Sequence, residues 1–147
     1  LAQAVVDLEP SGADAWYNLG ILLNYAGQPE RGAAALEKAM RLSPVYPIGY
    51  LYMLGMSRFL LRQDRDAVAA FDACAKRTPG SRTNHVWLAI VHADAGRLAD
   101  ARACAEHALQ LDPEVTIEHW MRSEAFGDDA VVQRIRAAMQ AAGFAER

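Results

Sequence analysis

The chain has 147 residues, 52% of them apolar and only 8% aromatic, and carries a net charge of −3 with both signs interspersed. That is enough chain for one domain with a sizeable core, and it lacks the clustered Lys and Arg that nucleic acid demands. With no apolar run near the roughly 18 residues of a membrane span, no signal-like amino terminus, and only Cys74 and Cys104 as cysteines, the expected compartment is the cytoplasm.

Taken in chain order, the apolar periodicity predicts helices near 1–9, 13–26, 29–42, 48–61, 64–77, 83–95 and 98–111. Ala dominates the apolar set, which favours closely packed helices. Gly27 and Gly96 suit the left-handed caps that end two of these helices. Pro10, Pro44, Pro79 and Pro113 follow every second helix, where the helix must stop. Past residue 115 the pattern starts another hairpin over 115–125 and then leaves it. Gly127, Asp128 and Asp129 open a last helix to about Ala142, ended by Gly143, and the aspartates suit its amino terminus. Val131, Val132, Ile135, Met139 and Phe144 form a stripe expected to cover the preceding hairpin.

The four prolines are 34, 35 and 34 residues apart. The same register recurs in other columns. Leu19 and Gly20 map to Leu54 and Gly55, then to Leu88 and Ala89; Gly32 maps to Ala67 and Ala101; Ala39 maps to Cys74 and Ala108. Gly27 maps to Arg62 and Gly96, so the second copy departs from the usual glycine and its turn geometry is left open. These columns define repeats at 13–46, 48–81 and 82–115, with Pro47 inserted at a boundary. Residues 1–12 read as the second helix of a preceding repeat, so the native chain is expected to continue upstream of Leu1. Residues 116–147 read as divergent helices forming a cap. The small residues at Gly20, Gly55 and Ala89, and at Gly32, Ala67 and Ala101, fall where paired helices cross. One hairpin cannot bury its apolar face, and stacking supplies the core.

Spacing and residue types together resemble the tetratricopeptide repeat: Trp16, Leu19, Gly20, Leu23, Gly27, Gly32, Leu36, Ala39 and Pro44 in the first copy, with Phe71 as the aromatic of the second. The resemblance implies an all-α fold, an α-α superhelix of antiparallel helix pairs closed by a carboxy-terminal capping helix. It further implies a non-catalytic scaffold for protein–protein interaction. A narrower likeness covers 43–146. Leu42, Ser43 and Pro44, then 109–113, Thr116, Ile117, Phe126, Asp128, Asp129 and the closing 142–146 are similar to the region following a bacterial class III adenylate/guanylate cyclase domain, or, in relatives, a winged-helix DNA-binding domain. That likeness implies the carboxy-terminal regulatory arm of a larger signalling protein, with none of a cyclase's metal or nucleotide ligands present.

In this repeat class the first helices line a concave groove. The corresponding columns place Tyr17, Ile21, Asn24 and Tyr25, then Tyr52, Met56 and Phe59, then Val86 and Ile90 on that surface. Such an apolar and aromatic lining suits an amphipathic helix or apolar peptide; the alternative is that a neighbouring segment or a second copy fills it. The clamp for a chaperone-tail carboxylate needs Lys, Arg and Asn, and Tyr17, Ile21, Thr83 and Trp87 occupy those places, so that partner is excluded. His85 and His92 lie seven apart but fall in packing columns, with no acidic or Cys ligand at matching spacing. No metal, no cofactor and no catalytic constellation is therefore expected. Cys74 and Cys104 read as packing thiols.

Overall fold

The computed structural model describes residues 12–147; the expectation for 1–12 as a helix of a preceding repeat falls almost wholly outside them. Among the described residues there are eight α-helices: α1 Ala13–Tyr25, α2 Pro29–Leu42, α3 Ile48–Leu60, α4 Asp64–Arg77, α5 Arg82–Asp94, α6 Leu98–Leu111, α7 Ile117–Ser123 and α8 Asp129–Ala142. The all-α expectation holds, and the helix ends agree with the periodicity to within a residue or two up to Leu111. Beyond it, the hairpin expected from 115–125 contracts to the seven residues of α7.

Three helices end in the same way. At Gly27 the backbone turns left-handed, with its N–H on Asn24 and the next N–H, of Gln28, reaching back to Leu23 at 2.9 Å. Gly96 repeats this with Ala93 and His92. Arg62 repeats it too, at φ 60°, with Phe59 and Arg58 as acceptors. This double bond satisfies carbonyls that a helix end leaves orphaned. The second turn therefore keeps the geometry of the other two although it lacks glycine. The alternate helices stop differently: Ser43, Thr78 and Asp112 each donate one last i→i−4 bond, to Ala39, Cys74 and Ala108, and a proline follows.

The described residues form two compact units, divided between Ala70 and Phe71. In the first, α1 packs on α2, and α3 packs chiefly on α2 and less on α1. Leu19, Leu23 and Ala35 form an apolar cluster there, with Ala15 and Trp16 packed against it. Gly20 and Gly32 are both buried, and a Cβ on either would lie 3.3 Å from the other's carbonyl oxygen, so the two backbones run close together.

In the second unit α5 packs on α6, and α8 packs chiefly on α5 and less on α6 and α7. Helix α5 is buried over eight consecutive residues, Asn84 to Val91. A helix enclosed on all sides belongs to a core rather than to a half-solvated surface. The rings of Phe71 and Trp87 stack at 5.4 Å, and Trp120 meets Trp87 edge-on at 6.3 Å. Helix α8 is capped by Asp128, whose carboxylate accepts the Ala130 N–H at 2.8 Å, and by the left-handed Gly143. The tail then returns to α7, where the carbonyls of Ala145 and Glu146 accept the N–H groups of Ile117 and Glu118 at 2.9 Å.

Candidate functional site

The groove-facing columns divide into two classes of burial. On α1, Tyr17, Ile21 and Tyr25 are half-buried, as is Tyr52 on α3. Asn24 is only 1% exposed, and Met56, Phe59, Val86 and Ile90 are fully buried. These five present no surface to a partner in this structure, and the expectation that they line an open groove is corrected accordingly.

The reason for the Asn24 correction lies in its bonds. Its amide donates to the Met53 carbonyl at 3.0 Å, and its oxygen accepts the Ser57 hydroxyl at 2.7 Å. An amide satisfied on both sides inside the protein ties α1 to α3, and removing it strands buried polar groups.

Tyr17 stands in an aromatic group that column arithmetic did not single out. Its ring stacks on Tyr50 at 4.6 Å, and the Tyr46 ring stacks on Tyr50 at 6.2 Å. The Tyr50 hydroxyl donates to Asp14. Burial first, and that bond second, push the Tyr50 pKa up to about 12. Burial and the Asp14 charge raise Tyr17 as well. The Tyr17 hydroxyl lies over Gly49, where an added Cβ would come within 2.8 Å of it. Glycine at 49 thus fixes where the Tyr17 ring can lie. The density of aromatics over 46–52 was the available signal.

In the second unit α5, which carries the columns of Val86, Ile90 and Asp94, already has a packing partner. The amphipathic α8 packs on α5, burying Ile135, Ala138, Met139 and Ala142. Its Arg134 forks onto Asp94, Nε to Oδ1 at 2.9 Å and Nη2 to Oδ2 at 2.6 Å, with both side chains about nine-tenths buried. A bidentate pair of this kind fixes orientation as well as adding energy. The stripe expected on the last helix is therefore placed on a first helix, and Phe144 is buried with it.

His85 and His92 go separate ways. His85 stacks on His107, and His92 Nδ1 accepts from Arg97 Nε at 3.0 Å. Among the described residues no group of three or more His, Cys, Asp or Glu is placed to hold a metal ion, and no helix is long and apolar enough to cross a membrane. Cys74 is fully buried, which pushes its thiol up to about 11. Burial, then Asp72 and Asp100, raise Cys104. At Cys74 burial outweighs the neighbouring Arg77 charge, so both thiols are held towards the unreactive protonated form.

The repeating hairpins, their shared left-handed turns and the small residues at their crossings define a helical-repeat protein. The sequence signature of the tetratricopeptide repeat matches three times, at 1–48, 50–81 and 83–115, and together these show that the chain is a tetratricopeptide-repeat protein. Its fold is similar to that of three solved structures. The structure titled "Crystal structure of MamA" is 17% identical, with a TM-score of 0.71 over 96% of this chain and 82% of that one. The "MamA RS-1 ArsTM double mutant" is 18% identical at 0.71, over 95% and 80%. A further "Crystal structure of MamA protein" is 19% identical at 0.69, over 95% and 78%. No curated protein matches the chain in sequence.

Proposed function

We propose that this chain is a non-catalytic protein-interaction scaffold whose first unit binds an apolar, amphipathic helix on the faces of α1 and α3 that carry Tyr17, Ile21, Tyr25 and Tyr52. The observation that carries the reading is α8. In the third repeat, the column positions Val86, Ile90 and Asp94 belong to a helix against which an amphipathic helix is packed. The equivalent columns of the first repeat are Tyr17, Ile21 and Tyr25, half-buried and uncharged. Tyrosines provide large contact area with few rotamers to freeze, which is why they recur at binding hot spots. An aromatic at 25 in place of the Asp94 carboxylate selects a helix that brings no arginine to that position.

In this reading the repeats run 13–46, 48–81 and 82–115, with 116–147 as the cap and 1–12 belonging to a preceding repeat. The same reading makes the chain a cytoplasmic carboxy-terminal arm of a bacterial signalling protein, on the strength of the motifs over 43–146. Sequencing the gene upstream of the Leu1 codon tests that context, and a frame opening just before Leu1 would remove it.

The binding surface is tested by calorimetry with a panel of amphipathic helical peptides, one of them a copy of 128–144 carrying Arg134→Leu, since Arg134 is the group that pairs with Asp94. One-site binding in the micromolar range is expected, weakened at least about tenfold by Tyr52→Glu and by Tyr25→Ala. Affinity indifferent to both substitutions, or no binding by any peptide, would overturn the assignment.

A further inference from the structure

Two imidazoles meet face to face across the third hairpin. His85, on α5, is 8% exposed, and its ring stacks on that of His107, on α6, with centroids 3.9 Å apart and planes 23° from parallel. The other groups around His85 are few. Its Nε2 lies 3.4 Å from the Pro79 carbonyl oxygen. Asp72 and Lys76 of α4, with Cys104 of α6, border the same cleft of about 530 Å³, which both imidazoles line. Asp72 acts on His85 as a favourable but minor charge.

The repeat itself supplies a comparison. Counted from the start of each repeat, His85 and His107 occupy the columns of Trp16 and Lys38. There the Lys38 ammonium sits 4.6 Å over the Trp16 ring. These two columns thus place a cation on an aromatic face, which is attractive. With one proton shared between them, the two imidazoles reproduce that arrangement. With two protons, like charges face each other across a stack, partly out of water, and repel.

We propose that the His85–His107 stack is a proton-operated latch on the α5–α6 hairpin, closed when the pair carries at most one proton and sprung when acidification adds the second. Burial, and then the His107 charge, hold the His85 pKa below its ordinary value of 6.5. The unfolded chain therefore takes this proton at higher pH than the folded one. The contribution to stability is whole above the ordinary histidine value and is lost as pH falls through it towards the folded one. The step falls in the range where cellular compartments differ, and the element it biases is the helix against which α8 packs.

The test is NMR of the imidazole nitrogens in the full chain, titrated from about pH 8 to about pH 5, alongside amide exchange. His107 is exposed, so it tolerates replacement. In His107→Gln the midpoint of His85 rises, because the neighbouring charge is gone. In His107→Lys it falls, because a permanent cation now stands where Lys38 stands over Trp16. Amide protection factors in α5 and α6 of the native chain, corrected for the intrinsic pH dependence of exchange, fall below the His85 midpoint more than those in α1 and α2, and His107→Gln blunts the difference. An identical His85 midpoint in all three proteins would assign the shift to burial alone and overturn the latch. An equal loss of protection in both units would overturn it too.

Discussion

Gly20 has no room for one added carbon. A Cβ there would lie 2.6 Å from Cγ of Leu36 and 2.8 Å from its Cδ2. Leu36 is fully buried, and the nearer atom is its branch point rather than a free end, so it has little freedom to withdraw. Gly20→Leu is expected to cost at least about 1–3 kcal/mol through overpacking. Trimming Leu36 to Ala in the same chain should recover part of that, since the two side chains compete for one space. Urea denaturation of the two single variants and the double variant measures the coupling. Strictly additive losses would mean that Gly20 is required for some other reason. Column position made Gly20 and Gly32 legible from the sequence, because a crossing of paired helices recurs at one register. It misplaced Asn24 for the opposite reason. Periodicity gives the direction in which a side chain points, whereas its depth depends on Ser57 and Met53, on another helix. The columnar equivalents of Asn24 in the other two first helices are Phe59 and Ala93, which carry no side-chain amide.

At the scale of elements, the left-handed turn is the feature the chain reuses most faithfully. Gly27, Gly96 and Gly143 occupy it at φ of 79°, 81° and 101°, and Arg62 at 60°. For an L-residue with a Cβ this conformation costs on the order of 1 kcal/mol. The surrounding bonds, from Arg62 N–H to Phe59 and from Gln63 N–H to Arg58, hold it there regardless. Arg62→Gly should therefore stabilise the chain, by somewhat less than about 1 kcal/mol because glycine also loosens the unfolded state. Thermal unfolding reads this as a rise in Tm. A fall would show that the arginine side chain contributes more than its backbone costs. Helix α8 marks the other limit of sequence reading. Its caps and apolar stripe were visible, since Asp128, Gly143 and the Ile135–Met139 spacing are local signals. Its seat on α5 was not. That seat rests on the Arg134–Asp94 fork, a pairing 40 residues apart in a part of the chain that has left the repeat.

For the whole molecule, the question is whether its apolar surface takes another protein or a second copy of itself. A stable dimer buries about 800 Å² on each partner, as a contiguous patch. Among the described residues, the large hydrophobic side chains that stand well out of each unit are spread along and just beyond their helices. In the first unit Leu22 lies mid-α1, while Leu42 and Val45 lie at and just beyond the end of α2; in the second, Leu98 and Leu111 open and close the same helix. The four side chains assigned to partner binding are half-buried, which suits one inserted helix better than a broad face. A net charge of −3 on each copy adds mild repulsion. Light scattering should accordingly find the monomer mass over a wide concentration range, unchanged by Tyr52→Glu. The opposite result is equally informative. A concentration-dependent doubling of mass that Tyr52→Glu abolishes would place a second copy on the α3 surface, and the chain would then be a self-association module rather than an adaptor.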